Sequence, residues 1–227
     1  MMTFYAAIGS YRIHNENGHK VAYIQKLGKL HPISIPEFAI WSTLLWEVMS
    51  YTELKKSYDQ QMSSFPGKAP DFDELLSMLI RRKLIARGMG YTGVDALYNM
   101  LSDAFVVPYH ITTGRKTLRV LKLWAKGSIT ISDLIRMMKA PACTADENRV
   151  IDLVEQTPLS TSEIIRCFER NLTDVSTADK VIAGIYGDED SDQSRIANEE
   201  FNAIQKRAVL QAVSNLYLKR KVLLELA

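Results

Sequence analysis

Cysteine is nearly absent. Cys143 and Cys167 are the only two in 227 residues, with no Cys-x-x-Cys spacing and no companion histidines. That excludes a disulfide framework or a structural zinc site, and predicts two buried free thiols. Histidine is scarce too: His14, His19, His31 and His110 are scattered, with no H-E-x-x-H pair. There is no phosphate-cradling Gly-Lys loop and no nucleophile elbow around a serine. The expectation is a non-enzymatic protein with no cofactor and no metal. A charge excess of one sign is also missing, since the formal net charge is only +2, so a nucleic-acid surface would have to be a local patch. No apolar run approaches the length of a membrane span, and the first ten residues lack the basic start of a targeting segment. A cytoplasmic protein with no membrane partner is expected. With 47% hydrophobic and 24% charged residues, the chain can bury one large core or two small ones.

What is present is a phrase used three times: an apolar helix end, a polar break, then a hydroxyl residue three places before a carboxylate. The copies are Leu45 to Leu54, Leu123 to Ile135 and Leu153 to Ile165, containing Ser50 with Glu53, Thr130 with Asp133 and Ser160 with Glu163. A Ser or Thr oxygen accepts the free N–H three residues on, and the carboxylate returns the bond, so each copy can start a helix. A helix-turn-helix organisation follows. Near the ends, Leu79-Ile80-Arg81-Arg82-Lys83-Leu84-Ile85 aligns with Tyr217-Leu218-Lys219-Arg220-Lys221-Val222-Leu223.

Between these landmarks, Tyr11 to Ile35 reads as a small antiparallel sheet: Tyr11 to Ile13, a turn at Asn15 to Gly18, Val21 to Ile24, and a short piece around Leu30. Pro36 suits a first helical turn, and Phe38, Ile40, Trp41, Leu44, Leu45 and Val48 would share one apolar face. A second helix runs to about Gln61, and a third begins at Asp71 or Asp73 and ends at Arg81-Arg82-Lys83. Leu84 to Tyr91 reads as a strand turning at its glycines. Asp95 to Phe105 is expected as a helix, with Val106 to Tyr109 an extended exit.

The order helix, turn, helix, helix, closing with Leu75-Leu76 and then Leu79-Ile80-Arg81-Arg82-Lys83-Leu84-Ile85-Ala86-Arg87-Gly88, resembles the winged-helix family over Pro36 to about Thr92. The three strands ahead of it also resemble the leader-peptide-binding module of the pyrroloquinoline-quinone biosynthesis D type. The resemblance implies a mainly α fold with small antiparallel β-sheets, an α+β class. Two winged-helix domains, residues 1–92 and 143–227, would be joined by a helical connector over 93–142, and the second domain would carry an acidic insertion.

Two functions compete. In the first, the chain is a DNA-binding transcription regulator whose partner is double-stranded DNA. Asn202, Gln205, Lys206 and Arg207 on the helix Phe201 to Leu218 would meet bases and phosphates, and Arg115, Lys116, Arg119 and Lys122 of a basic connector helix would meet phosphates. A homodimer would suit two half-sites, although no heptad run marks an interface. In the second, the chain is a protein- or peptide-binding adaptor that offers a groove or a sheet edge near Tyr11 to Ile24. The acidic starts of the third helices, at Asp71, Asp73 and Glu74 and at Glu199 and Glu200, favour the adaptor, because they would repel phosphates. Asp188, Asp190, Asp192, Ser194 and Glu199 follow calcium-loop spacing, but Gln193 stands where glycine is needed, so a solvated loop is expected.

Overall fold

Helix starts dominate the local structure. The computed structural model describes residues 1–16, 18–64, 70–109, 142–187 and 195–227, the side chains of the last stretch from 202 onward. The chain runs β1 (Met2–Ala7), β2 (Ser10–Glu16), β3 (His19–Lys26), β4 (Lys29–Pro32), α1 (Ile35–Leu44), β5 (Met49–Ser50), α2 (Tyr51–Met62), α3 (Phe72–Arg81), β6 (Ile85–Gly90) and α4 (Gly93–Leu101). It continues with β7 (Phe105–Pro108), α5 (Ala145–Gln156), β8 (Leu159–Ser160), α6 (Thr161–Glu169), the short α7 (Ala178–Val181) with a π-turn at Ile182–Tyr186, α8 (Arg195–Leu218) and β9 (Val222–Glu225). Reciprocal capping boxes open α1, α2, α4, α5 and α6, at Ser34/Glu37, Ser50/Glu53, Thr92/Asp95, Thr144/Glu147 and Ser160/Glu163. The box is therefore a general helix-start device in this chain and does not single out a helix-turn-helix phrase. The Thr130/Asp133 copy lies outside the described residues.

Among the described residues there are three antiparallel sheets, in the orders β5-β1-β6, β2-β3-β4 and β8-β7-β9. The first and third are built alike. In each, the middle strand comes first in sequence, a two-residue strand follows the next described helix, and the last strand follows the final helix. The registers agree, with Phe4 opposite Ser50 and Phe105 opposite Ser160, so the same capping serine ends the short strand in both. The α+β class with small antiparallel sheets is thus observed.

Five expectations are corrected. Met2–Ala7, not expected as a strand, is the middle strand of the first sheet. Helix α1 stops at Leu44, because Trp46 takes a left-handed conformation (φ 71°) that redirects the chain and brings Met49 opposite Tyr5. Leu45 and Val48 are accordingly not on that helix. The β6 glycines do not turn the strand: a Cβ on Gly88 would lie 2.1 Å from the Ala96 carbonyl oxygen, and one on Gly90 2.4 Å from the Ala96 nitrogen. They let α4 cross the strand at close range. The helix expected over Asp95 to Phe105 ends at Leu101, and Phe105–Pro108 is the middle strand of the third sheet.

The fifth correction is a one-residue slip in the alignment of the two basic ends. Lys83 (φ 55°) and Arg220 (φ 59°) are the left-handed residues, and the Leu84 amide bonds to the Leu79 carbonyl as the Lys221 amide bonds to that of Leu216. Leu84 therefore matches Lys221, and Ile85 matches Val222. Backbone geometry sets the frame here, since the exposed charges are free to shift by one.

Two cores hold the body. Tyr5 and Ala7 of β1 face a core made by α1, α2 and α3 with Ile24, Leu84 and Ile85. Ala6 and Ile8 face the other way, into a core shared with Met100 and Leu101 of α4 and with α5, α6, α8 and β9. The two halves are stitched at the backbone, the Gly9 amide donating to the Leu224 carbonyl at 2.8 Å. The buried Tyr217 hydroxyl, whose pKa burial pushes up, donates to the Leu44 carbonyl at 2.9 Å, with that of Ala7 at 3.2 Å. Trp46 packs between Tyr109 and Tyr217, ring centroids 5.1 and 5.5 Å away.

Candidate functional site

The β2-β3-β4 sheet stands on the helical body at one end and is open along one side. Every residue of β2 after Ser10 is exposed. β2 pairs with β3 from Ser10 opposite Gln25 to Glu16 opposite His19 and, among the described residues, with no other strand. Among the described residues the backbone of 11–16 makes no other hydrogen bond, so one row of its polar groups faces solvent. The other outer strand, β4, is shorter, and the Arg82 guanidinium donates to the Pro32 carbonyl on it.

Alternation along β2 follows from the pleat. Tyr11 and Ile13, opposite Ile24 and Ala22, point toward α1, where the Tyr11 ring lies edge-on to Phe38 at 5.7 Å and to Trp41 at 6.2 Å. Both stay accessible, Tyr11 at 47% and Ile13 at 58%. Arg12, His14 and Glu16 share the outer face. Glu16 accepts the Tyr23 hydroxyl at 2.6 Å, which raises the Tyr23 pKa, and His14 lies edge-on to the Tyr23 ring at 5.4 Å. Besides Arg82 on Pro32, this sheet is held to the body by the fully buried Ile24, by Trp41 Nε1 donating to the Ile8 carbonyl just before β2 at 3.1 Å, and by the Leu27 amide donating to the Glu225 carboxylate at 3.0 Å. Burial, then the Lys26, Arg82 and Lys29 charges, lower the pKa of His31 and favour its neutral form.

Among the described residues, the expected DNA-reading side chains of α8 line different clefts. Lys206 lies over the Tyr98 ring of α4, its ammonium 3.4 Å from the centroid, in a cleft with Met89, Tyr91, Asp95 and Asn99. Asn202 lines a separate polar cleft with Arg166, Arg170, Tyr186 and Gly187. Gln205 is half-buried and Arg207 is exposed. Arg115, Lys116, Arg119 and Lys122 lie outside the described residues, as does the acidic run 188–194. At the other basic ends, Arg82 is paired with Glu37 and Lys219 with Glu147, while Arg81, Arg87 and Arg220 are exposed. The acidic start of α3 is occupied locally: Asp71 accepts from the Glu74 amide, and Asp73 accepts the Tyr51 hydroxyl at 2.7 Å.

Among the described residues no group of three His, Cys, Asp or Glu side chains could hold a metal ion, and no helix is long and apolar enough to cross a membrane. Cys143 and Cys167 are free. Cys167 is buried, which pushes its thiol up to about 11. The sequence points to a groove or a sheet edge near Tyr11 to Ile24, and the alternation of Tyr11 and Ile13 with Arg12 and His14 is a further signal for the edge. Which edge is open depends on strand order. Comparison with protein-family models, with curated proteins and with solved structures returns no match.

Proposed function

We propose that this chain is a non-enzymatic protein- or peptide-binding adaptor built on two winged-helix units, and that it takes an extended segment of its partner as an added strand along β2. The observation that carries the reading is the exposed edge of β2 over residues 11–16 on a sheet anchored to a packed body. Unpaired edge groups supply main-chain hydrogen bonds to an incoming strand, and the apolar positions beside them supply selectivity. The matching strand orders and capping serines of the first and third sheets support the two-unit description. With both cysteines unpaired, the proposal puts the protein in the reducing cytoplasm.

The test is selection of binders from a displayed library of random peptides, followed by hydrogen exchange on the complex. Slowed exchange centred on residues 11–16, and loss of binding in Ile13→Pro, are expected. Protection confined to α8 or to the helices would reject the edge as the site.

DNA binding is the second reading, and exposed Arg207 beside half-buried Gln205 on α8 is what favours it. It ranks lower because Lys206 is held against Tyr98 and Asn202 faces a different cleft. Titration with mixed duplex fragments at low and at physiological salt tests it. Binding that survives physiological salt and is weakened by Arg207→Ala would promote this reading over the adaptor.

A further inference from the structure

Resting on the reading of β2 as a docking edge, we infer that the strand it accepts is β2 of a second copy of this chain, antiparallel and related by a twofold axis beside His14. Backbone geometry sets which groups are on offer. The Ile33 amide donates to the Ala22 carbonyl at 3.3 Å, so Ala22 turns its polar groups toward the β4 side and away from Ile13, its neighbour on β2. In an antiparallel ladder such pairs alternate with bonded ones, which leaves the amides and carbonyls of Tyr11, Ile13 and Asn15 on the free edge. Two copies can bond only where these odd-numbered residues oppose one another. The inner faces, with Tyr11 and Ile13, then lie on the same side of one sheet made from both three-stranded sheets.

Charge selects the register. Arg12 and Glu16 share the outer face but lie about 13 Å apart along the strand, too far to pair within one chain. Among the described residues Arg12 makes no hydrogen bond or ion pair, and Glu16 uses one oxygen, on the Tyr23 hydroxyl. The two stand symmetrically about His14. With His14 opposite its twin, Arg12 of each copy faces Glu16 of the other, a cross-strand ion pair made twice. Moving the axis to Arg12 sets two arginines face to face, and moving it to Ile13 sets Arg12 against His14. In the chosen register Ile13 and Asn15 exchange main-chain bonds, and the two Ile13 side chains, each 58% exposed, become diagonal neighbours. Ile24, opposite Tyr11, is buried while His19 and Lys20 at the turn are exposed, so the two helical bodies take opposite ends of the shared sheet. The pairing closes as a dimer, because the remaining outer strand β4 is short and carries Arg82 on Pro32. So short an edge buries less than a standard interface, and the dimer forms only as concentration rises.

Sedimentation velocity of the full chain over a micromolar to millimolar range should show a monomer–dimer equilibrium. Arg12→Glu and Glu16→Arg each set like charges opposite one another, and each should weaken self-association by about tenfold. Mixed in equal amounts, the two variants face Glu with Arg at both places, so the mixture should regain the original affinity as a heterodimer. A folding defect would not produce that rescue. Ile13→Pro removes an edge amide that β3 does not use and should abolish the dimer, with circular dichroism checking the fold of all three variants. A chain that stays monomeric throughout would overturn the second copy as the occupant, and peptides selected onto residues 11–16 would then leave the docking edge itself standing. Neither dimer nor such peptides would overturn both. A dimer indifferent to Ile13→Pro uses another face, and one lost in Ile13→Pro but indifferent to the charge exchanges uses another register. Either result would overturn the inference.

Discussion

Lys219 Nζ meets the buried Glu147 carboxylate at 2.6 Å, and in the other half of the chain Arg82 meets Glu37 at 2.9 Å in the same structural place. Each carboxylate is the third residue of a helix and closes its capping box. Each cation directly follows the final helix of its half and precedes the left-handed residue that leads into the last strand. One ion pair thus joins the start of the first helix to the end of the last in both halves.

The pair has a calculable cost of removal. Burial raises the Glu147 pKa, but Lys219, the Thr144 amide and Asn215 outweigh it and leave the carboxyl below its ordinary value. A group depressed in the folded state adds stability above its unfolded pKa of about 4.3 and loses it as pH falls through the folded value. Lys219→Met should therefore destabilise the protein by about 3 kcal/mol at neutral pH, with the deficit shrinking in acid. Arg82→Met should cost only about 1 kcal/mol, because Arg82 is more exposed and solvent screens its pair. Urea unfolding of both variants across pH checks the ranking.

Gly88→Ala should be severe and Gly18→Ala mild. At Gly88 the new methyl would sit 2.1 Å from the Ala96 oxygen and 2.4 Å from the Met100 nitrogen, both backbone, so α4 must move off the strand. A loss of about 3 kcal/mol or more is expected. At Gly18 nothing lies within 4 Å, and only the left-handed φ of +82° opposes the substitution, for about 1 kcal/mol. Thermal melts followed by circular dichroism separate the two.

The cysteines should differ in reactivity. Cys167 is buried and its thiol is pushed up to about 11, so little thiolate forms near neutrality. Cys143 is half-exposed, with Lys221 Nζ 3.1 Å from its sulfur. Mass spectrometry after brief iodoacetamide treatment should find Cys143 modified and Cys167 untouched, until urea unfolds the chain.

Lys206 should act as a packing residue. Lys206→Ala and Tyr98→Leu should each cost about 1 kcal/mol of stability and be non-additive in a double-mutant cycle, since each removes the same cation–ring contact. A neutral Lys206→Ala in unfolding experiments, combined with weaker DNA binding, would return this residue to the nucleic-acid reading.

Local chemistry made much of the fold legible. The Ser50 and Ser160 boxes, Pro36 in the first turn of α1 and the Asp71 cap are all decided within a few residues. β1 escaped because Tyr5 and Ala7 enter one core while Ala6 and Ile8 enter the other. A strand buried on both faces has no alternation to read. The candidate site was half legible: Tyr11 and Ile13 announce a strand with an apolar side, but an open edge is a statement about what does not pair with it.

The sequence by itself determined where helices begin and which strands form the small sheet, because capping and patterning act over three to seven residues. Only the tertiary structure decided that Met2–Ala7 is a central strand, that Lys206 lies on Tyr98, that Arg82 and Lys219 are tied to buried carboxylates, and that β2 keeps a free edge. Those outcomes depend on contacts between residues far apart in the chain, and such contacts leave no local trace.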